Sequence, residues 1–178
     1  AWDRDTAQAV AVTVLRARSP EEEQRFAHAG KLAESLLHPN IQKVLHHGRT
    51  RDGHLYLVRE RIDGLTLREV LAGGGTLEVD RAFGIGIQVL QALEHAERLG
   101  VIHGHLRLGL VHVDDSGRVR VTGFAVPAVS SRPAAPLYTA PEVLSGGRPS
   151  YAGDLYAVGA MLYRALTGVA PFAGGTPQ

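Results

Sequence analysis

The sequence has no cysteine and only two lysines among its 178 residues. Without thiols, neither disulfide bonds nor thiolate metal sites can form, and such a composition is typical of a cytoplasmic protein. No apolar run is long enough to span a bilayer, and no positively charged start leads into a signal-like segment. These absences predict a cytoplasmic location and no membrane span within this chain.

An excess of charge of one sign is also lacking, because 19 basic residues nearly balance 18 acidic ones. A net charge of +1 creates no overall field that would attract nucleic acid or anionic lipid. What the sequence does contain is an ordinary globular mixture, with 44% hydrophobic and 21% charged residues. A chain of this length buries roughly 70% of the surface that its unfolded form exposes, which is enough for one domain. The abundance of Ala, Arg and Gly over Lys suggests a GC-rich bacterial source.

The first third of the chain predicts a strand, a helix and a strand pair. Residues 8–15 are rich in Val and form a short run, as in a strand. Ser19 and Glu22, with a proline between them, are typical of a helix start with a capping box. Residues 41–47 and 54–59 predict two strands joined by a turn. The core-facing positions of the helix are predicted to be Phe26, Ala29, Leu32, Ala33, Leu36 and Leu37.

The rest of the chain predicts three helices and one hairpin. A short helix at 66–71 is followed by a longer one at 76–99, and alternating residues at 111–121 indicate a hairpin. Residues 151–166 are apolar almost all round, which places this last helix in the middle of a domain. The long helix is predicted to face the core through Phe83, Ile87, Leu90, Leu93, His95 and Ala96.

The stretch at residues 101–142 carries three short motifs in a fixed order. His103 opens the first, the triplet at 123–125 reads Gly-Phe-Ala, and the triplet at 140–142 reads Ala-Pro-Glu. This order resembles the H-R-D-L-x-x-x-N loop, the D-F-G turn and the A-P-E stop of the eukaryotic-type protein kinase family, which includes bacterial Ser/Thr kinases. The strand at 8–15 is similar to the V-A-I-K strand of that family. The resemblance covers essentially the whole chain.

Several functional positions of the family carry other residues in this chain. By resemblance, His105 replaces the catalytic Asp, and Leu110 and Gly123 replace the two metal ligands. Phosphoryl transfer in the family needs a base near the acceptor hydroxyl and metal ions held by oxygen atoms, so we expect no catalytic residues and no metal. The strand Lys and the helix Glu that would pair with it are absent together, which leaves no buried charge alone. The six family positions are occupied by Thr13, Ala29, His105, Arg107, Leu110 and Gly123.

The nucleotide pocket that the resemblance implies is also altered, around Ala11, Arg59 and His112. Arg59 occupies what resembles the gatekeeper position, where an apolar or small polar residue is usual in the family. A guanidinium cannot be neutralised there, and we expect it to fill the nucleotide cavity. His112 falls where an aliphatic residue usually lies under adenine. We therefore expect a degenerate pocket and no bound cofactor.

Three histidines, His103, His105 and His112, lie within ten residues, which raises the question of a metal site. His103 matches the structural His of the family, which packs in the core. In a strand, His112 would point to the opposite face from its neighbours. We therefore predict that the cluster holds no metal.

The fold predicted by the resemblance is α+β, with the two lobes of a protein kinase. Residues 1–62 would form a partial small lobe, and residues 63–178 a partial large lobe. The resemblance begins after the glycine-rich loop and ends before the last large-lobe helices, so we expect a kinase-like fold truncated at both ends. Asp154 resembles the large-lobe Asp that holds the backbone of the catalytic loop.

The vacant positions predict a pseudokinase, which is not an enzyme but a regulatory or scaffolding module. Its partner would be another protein, a second copy of the chain or an active kinase that it regulates. One alternative is an atypical Ser/Thr kinase or nucleotidyl-transferase that uses His105 and Arg107. Another is a switch that binds ATP without metal. Ser130, Ser131 and Thr139 are hydroxyl residues that another kinase could phosphorylate.

Overall fold

A computed structural model describes residues 1–4, 6–16, 19–124 and 136–172 of the chain. The Val-rich segment forms strand β2 within a four-stranded antiparallel sheet, because β-branched side chains suit a pleated, half-buried surface. The strand order of this sheet is β1-β2-β4-β3. Its strands are β1 (Trp2–Asp3), β2 (Gln8–Arg16), β3 (Val44–Arg49) and β4 (His54–Glu60). The predicted strand and strand pair are thus confirmed, and β1 was not predicted.

Helix α1 (Pro20–Ser35) begins where the sequence predicts, since the Ser19 hydroxyl accepts a hydrogen bond from the Glu22 backbone N–H at 3.3 Å. Its apolar face packs on the four-stranded sheet. The expectation that Leu37 faces the core is wrong, because this side chain is 63% exposed. The helix ends at Ser35, so the helical spacing no longer determines where Leu37 points.

The remaining elements contain a three-stranded antiparallel sheet with the order β5-β6-β7. The predicted short helix and hairpin are both present. The bounds are β5 (Leu65–Thr66), α2 (Leu67–Val70), α3 (Val79–Arg98), β6 (Val111–Val113), β7 (Val119–Val121), α4 (Pro141–Leu144) and α5 (Tyr151–Thr167). Three short 3₁₀ turns lie at Ala72–Gly74, Leu108–Leu110 and Pro136–Tyr138.

Helix α3 begins three residues later than the sequence predicts, and the predicted core face is confirmed at Leu93 and Ala96 but not in its first half. Phe83 is 52% exposed, and Ile87 and Leu90 are exposed as well, so their expected burial is wrong. The buried face carries Ile85 and Val89 instead and packs against α5. At Gly86, an added Cβ would lie only 3.1 Å from the Leu162 side chain, which shows how closely the two helices approach.

Helix α5 is less central than its composition predicts. It buries Ala157 and Met161 in the core but leaves Leu155 and Tyr163 exposed. The apolar composition of α5 on every side therefore does not lead to burial of every side. No helix within the described ranges is both long and apolar enough to cross a membrane, and the cytoplasmic location stays a prediction.

Two hydrophobic clusters hold the fold together. The larger core joins α3, α5 and the three-stranded sheet, and includes Val89, Ala92, Val111, Val119 and Val121. The smaller core joins α1 to the four-stranded sheet and consists of Phe26, Ala33, Val44, Leu55 and Leu57. Mixed α+β architecture with two such units agrees with the expected fold class. The boundary between residues 62 and 63 stays a prediction, since Leu36 and Ile41 belong to the larger core.

The segment between α1 and β3 is fastened to the three-stranded sheet. Gln42 N–H donates to the Val121 carbonyl at 2.9 Å, and Val121 N–H donates to the Asn40 carbonyl at 2.8 Å. The Asn40 side-chain amide also donates to Gln88 and to the Val119 carbonyl, both at 2.9 Å. These hydrogen bonds hold the segment that connects α1 to β3 against β7 and α3.

Candidate functional site

The loop at residues 103–105 is anchored by Asp154, which lies in the first turn of α5 and is only 4% exposed. Its two carboxylate oxygens accept hydrogen bonds from the backbone N–H groups of His103 and Gly104, each at 2.8 Å. Burial raises the pKa of Asp154, while these two N–H groups counteract the rise. Gly104 has a φ of 74°, a left-handed conformation that glycine adopts without strain. The carboxylate therefore fixes the backbone of the loop.

His103 is a core residue, 1% exposed, with both ring nitrogens occupied. Nε2 lies 3.0 Å from the Thr122 carbonyl, which can only accept, so this nitrogen carries the hydrogen. Nδ1 then accepts from the His105 backbone N–H at 3.4 Å. Burial above all, and then the charge of His105, lower the pKa of His103 to about 3. The ring is therefore neutral, and it packs edge-on against Phe124.

His105 has one ring nitrogen, Nε2, without a hydrogen-bond partner among the described residues. Its Nδ1 lies 2.9 Å from the His103 carbonyl, so Nδ1 carries the hydrogen and Nε2 does not. Burial lowers the pKa of His105, the bond to His103 raises it, and the charge of Arg107 lowers it again. A neutral imidazole results near pH 7, and its Nε2 faces Gly123, where an added Cβ would lie 3.3 Å away. This nitrogen can accept a proton.

Leu110 and Gly123 lie together next to His105. A Cβ added at Gly123 would lie 3.3 Å from the Leu110 side chain, and φ at Gly123 is 97°. Neither residue offers a carboxylate or amide oxygen from its side chain, which is what Mg²⁺ prefers. Among the described residues, no group of three His, Asp or Glu side chains is placed to hold a metal ion. This donor set does not fit Mg²⁺.

The three histidines are not gathered into one cluster. His103 and His105 are in contact, with ring centroids 4.6 Å apart. His112 lies on β6, opposite Thr66 and Arg120 on the neighbouring strands. Burial lowers the pKa of His112, and Glu69 partly counteracts this. The absence of a metal site stays a prediction.

Thr13 and Arg59 meet across two neighbouring strands. Arg59 Nη2 donates to Thr13 Oγ1 at 2.5 Å, and Nη1 lies 3.5 Å from Gln42 Oε1. Arg59 Nε is buried and has no hydrogen-bond partner in the part of the chain that the structure describes, and burial lowers the pKa of this guanidinium. The β2–β4 register pairs Ala11 with Arg59, so Thr13 lies on the same face one step along. Sequence reasoning missed this contact, because the register of the two strands is not given by the sequence pattern. Filling of a nucleotide cavity by Arg59 stays a prediction.

Ala29 lies half-buried on α1, and its methyl side chain brings no charge to the sheet. That Thr13 and Ala29 occupy the positions of the family's ion pair stays a prediction.

A small cavity of about 20 Å³, room for about one water molecule, is lined in part by His105. Ser130 and Ser131, two of the predicted phosphorylation sites, fall outside the described residues. The residues around the cavity include Gly104, His105, Tyr138, Thr139, Pro149 and Asp154.

Comparison with known proteins identifies the family. The family model described as the protein kinase domain matches residues 1–178. A probable serine/threonine-protein kinase of Streptomyces coelicolor is 34% identical over 99% of this chain and 29% of its own length. A probable serine/threonine-protein kinase of Clostridium perfringens is 33% identical over 94% of this chain and 26% of its own length. Serine/threonine-protein kinase PrkC of Bacillus subtilis is 32% identical over 93% of this chain and 27% of its own length.

These relatives contradict the prediction that the chain is not an enzyme, since they are named as Ser/Thr protein kinases and match nearly all of it. The prediction rested on residue types at six positions alone, and a neutral imidazole, such as that of a histidine in place of an Asp, can also accept a proton. The chain spans less than a third of the length of these three relatives. It belongs to the protein kinase family.

Proposed function

We propose that this chain is an atypical Ser/Thr protein kinase that transfers a phosphoryl group by means of His105 and Arg107. The observation that carries the proposal is the tautomer of His105, whose Nε2 is left as an acceptor because Nδ1 is bound to the His103 carbonyl. Membership of the protein kinase family supports the reaction class. The acceptor is the hydroxyl group of a protein, which includes a second copy of the chain.

In the proposed reaction, the acceptor hydroxyl oxygen attacks the γ-phosphorus of a nucleoside triphosphate. The bond from that phosphorus to the β–γ bridging oxygen breaks, the nucleoside diphosphate leaves, and the hydroxyl proton moves to His105 Nε2. The positive charge of Arg107, close enough to lower the pKa of His105, attracts the phosphate oxygens. A positioned general base contributes about 10²–10⁴ in rate.

Transfer of label from γ-labelled ATP to protein tests this proposal in wild type and His105→Ala. We expect His105→Ala to lose at least about 100-fold in rate, because it removes the base, while its circular dichroism spectrum stays unchanged. His46→Ala is the matched control, since His46 is an exposed strand histidine. Because burial lowers the pKa of His105, the wild-type rate should fall only as pH drops through a value below the usual 6.5.

Two results would contradict the proposal. One is the absence of transfer by wild type with Mg²⁺, Mn²⁺ or chelator. The other is an equal rate in His105→Ala and wild type. Label arriving from α-labelled ATP instead would indicate nucleotidyl transfer by the same residues.

A second candidate, a switch that binds ATP without metal, is favoured by the contact between Leu110 and Gly123. This contact leaves no oxygen ligand where the family holds metal. Thermal unfolding with ATP and chelator tests it, because a ligand at 100 times its Kd adds about 2.7 kcal/mol to the free energy of unfolding. Stabilisation without any transfer would favour the switch over the kinase.

A further inference from the structure

Arg59 carries a charge within the four-stranded sheet that no ordinary pH can remove. It lies on β4, between β2 and β3, and its side chain is partly buried. Its neighbours are the neutral oxygens of Thr13 and Gln42, and the second of these lies at the 3.5 Å limit of a hydrogen bond. No ion pair within the described ranges involves this guanidinium.

The carboxylates on the surrounding elements are bound elsewhere. Glu34 on α1 pairs with His47 at 2.7 Å, and Glu23 on α1 pairs with Arg49 at 2.9 Å. Glu60, next to Arg59 on β4, accepts from the Lys43 backbone N–H and lies 3.4 Å from Arg120. A buried cation with only neutral partners is costly. Arg59 Nε is also a buried donor without a hydrogen-bond partner among the described residues, which adds a second energetic cost.

We infer that Arg59 and Thr13 together form an oxyanion site that binds the phosphate oxygens of the nucleoside triphosphate. The planar fork of a guanidinium matches phosphate oxygens, and a bound anion would neutralise the charge of Arg59. Thr13 Oγ1 accepts from Arg59 and keeps its own hydrogen to donate to the ligand. The choice of a nucleotide as the source of the phosphate rests on the proposed function.

In this assignment the phosphate-binding cation comes from β4, whereas in the family pattern it comes from the strand that corresponds to β2. Thr13 occupies the position on β2 where the family pattern has Lys, and Arg59 reaches that position from β4. The two strands thus supply a hydroxyl and a guanidinium in place of one ammonium group.

Binding measurements separate this site from the rest of the protein. Isothermal titration of ATP, tripolyphosphate and adenosine, each with chelator and with Mg²⁺, is compared for wild type, Arg59→Met and Arg59→Lys. We expect the Kd of ATP and of tripolyphosphate to rise roughly tenfold to a hundredfold in Arg59→Met and less in Arg59→Lys. The Kd of adenosine should not change. Arg61→Met is the matched control, since Arg61 is exposed and pairs with Asp63 at 2.8 Å.

The melting temperature without ligand gives an independent readout. Arg59→Met removes a buried, unpaired charge, so it should melt at the same temperature as wild type or higher. A lower melting temperature together with an unchanged Kd for ATP would make Arg59 structural and overturn the site. So would wild type that binds neither ATP nor tripolyphosphate, or an equal loss of affinity in Arg61→Met.

The two proposals fail in different ways. Wild type that binds ATP through Arg59 but transfers no phosphate would refute the kinase and leave the oxyanion site standing. Wild type that transfers phosphate while Arg59→Met binds ATP as tightly would refute the oxyanion site alone.

Discussion

The loop around His103 holds a buried charge, the strand pair at Thr13 and Arg59 holds a partly buried one, and the two charges differ in their hydrogen bonds. In the loop, the Asp154 carboxylate accepts from two backbone N–H groups at 2.8 Å each. In the strand pair, the Arg59 guanidinium donates to two neutral oxygens, and its buried Nε has no partner among the described residues.

This difference distinguishes a charged side chain that holds the backbone in place from one that can bind a ligand. A charge whose hydrogen bonds are all made within the chain holds the backbone in place and has little left for a ligand. A charge that lacks an ion-pair partner or some of its hydrogen bonds destabilises the fold until a ligand binds it. By this criterion Asp154 belongs to the scaffold, and Arg59 is available to an anion.

The largest effect should come from removing the scaffold charge. Asp154→Ala leaves the N–H groups of His103 and Gly104 without acceptors, each at a cost of about 1–3 kcal/mol, so the free energy of unfolding should fall by about 2–6 kcal/mol. Urea unfolding measures it. Asp115→Ala, an exposed turn residue, serves as the control and should change stability by less than about 0.5 kcal/mol. A loss below about 1 kcal/mol in Asp154→Ala would contradict the distinction between a structural charge at Asp154 and a ligand-binding charge at Arg59.

The loop should also make the protein sensitive to acid. His103 stays neutral down to about pH 3 when folded but takes a proton near 6.5 when unfolded. The unfolded chain therefore binds one more proton in this window, so stability should decline by about 1.4 kcal/mol per pH unit as pH falls from 6.5 toward 3. The raised pKa of Asp154 opposes this only at the acid end, since its folded carboxyl takes a proton above the usual 3.8.

Equilibrium unfolding at several pH values, in wild type and His103→Gln, isolates that contribution. We expect the free energy of unfolding to change less steeply with pH in His103→Gln, by the roughly 1.4 kcal/mol per pH unit that one proton contributes. Parallel curves in the two proteins would show that His103 is not the group responsible.

The smallest effect concerns the helix caps of the two regions. Ser150 caps α5 through Gly153 at 3.1 Å, and Ser19 caps α1 through Glu22 at 3.3 Å. Each Ser→Ala change should cost about 1 kcal/mol in urea unfolding. Only Ser150→Ala should also slow phosphoryl transfer, because its helix turn carries Asp154. Equal rates in both variants would mean that the first turn of α5 does not influence the loop.

Much of the fold could be predicted from sequence because its signals are local. Caps, turns and runs of β-branched residues lie where the helices and strands begin and end. The face of α3 could not be predicted, because it carries two apolar stripes, one through Phe83 and Ile87 and one through Ile85 and Val89. Periodicity alone does not choose between two stripes, and packing against α5 made the choice.

The site divides in the same way. The anchoring of the loop by Asp154 was predictable, since it follows from a motif with a fixed partner. The contact of Arg59 with Thr13 was not, because it depends on strand register and on the path of a long, flexible side chain. The sequence offered His105 as a proton acceptor in one of its alternatives, but it could not give the tautomer, which is set by the hydrogen bond from Nδ1 to the His103 carbonyl.

The fastening of residues 40–42 to β7 gives the four-stranded sheet a second junction with the rest of the fold. One junction is made by hydrogen bonds, because the backbone groups of Asn40 and Gln42 bond to Val121. The other is the chain itself, which leaves β4 after Glu60 and enters β5 at Leu65. Residues 61–63 between these strands contain no helix or strand, and Arg59 lies directly before them, next to Glu60. The guanidinium proposed to bind phosphate is therefore carried on the last residues of the sheet before the chain crosses to β5.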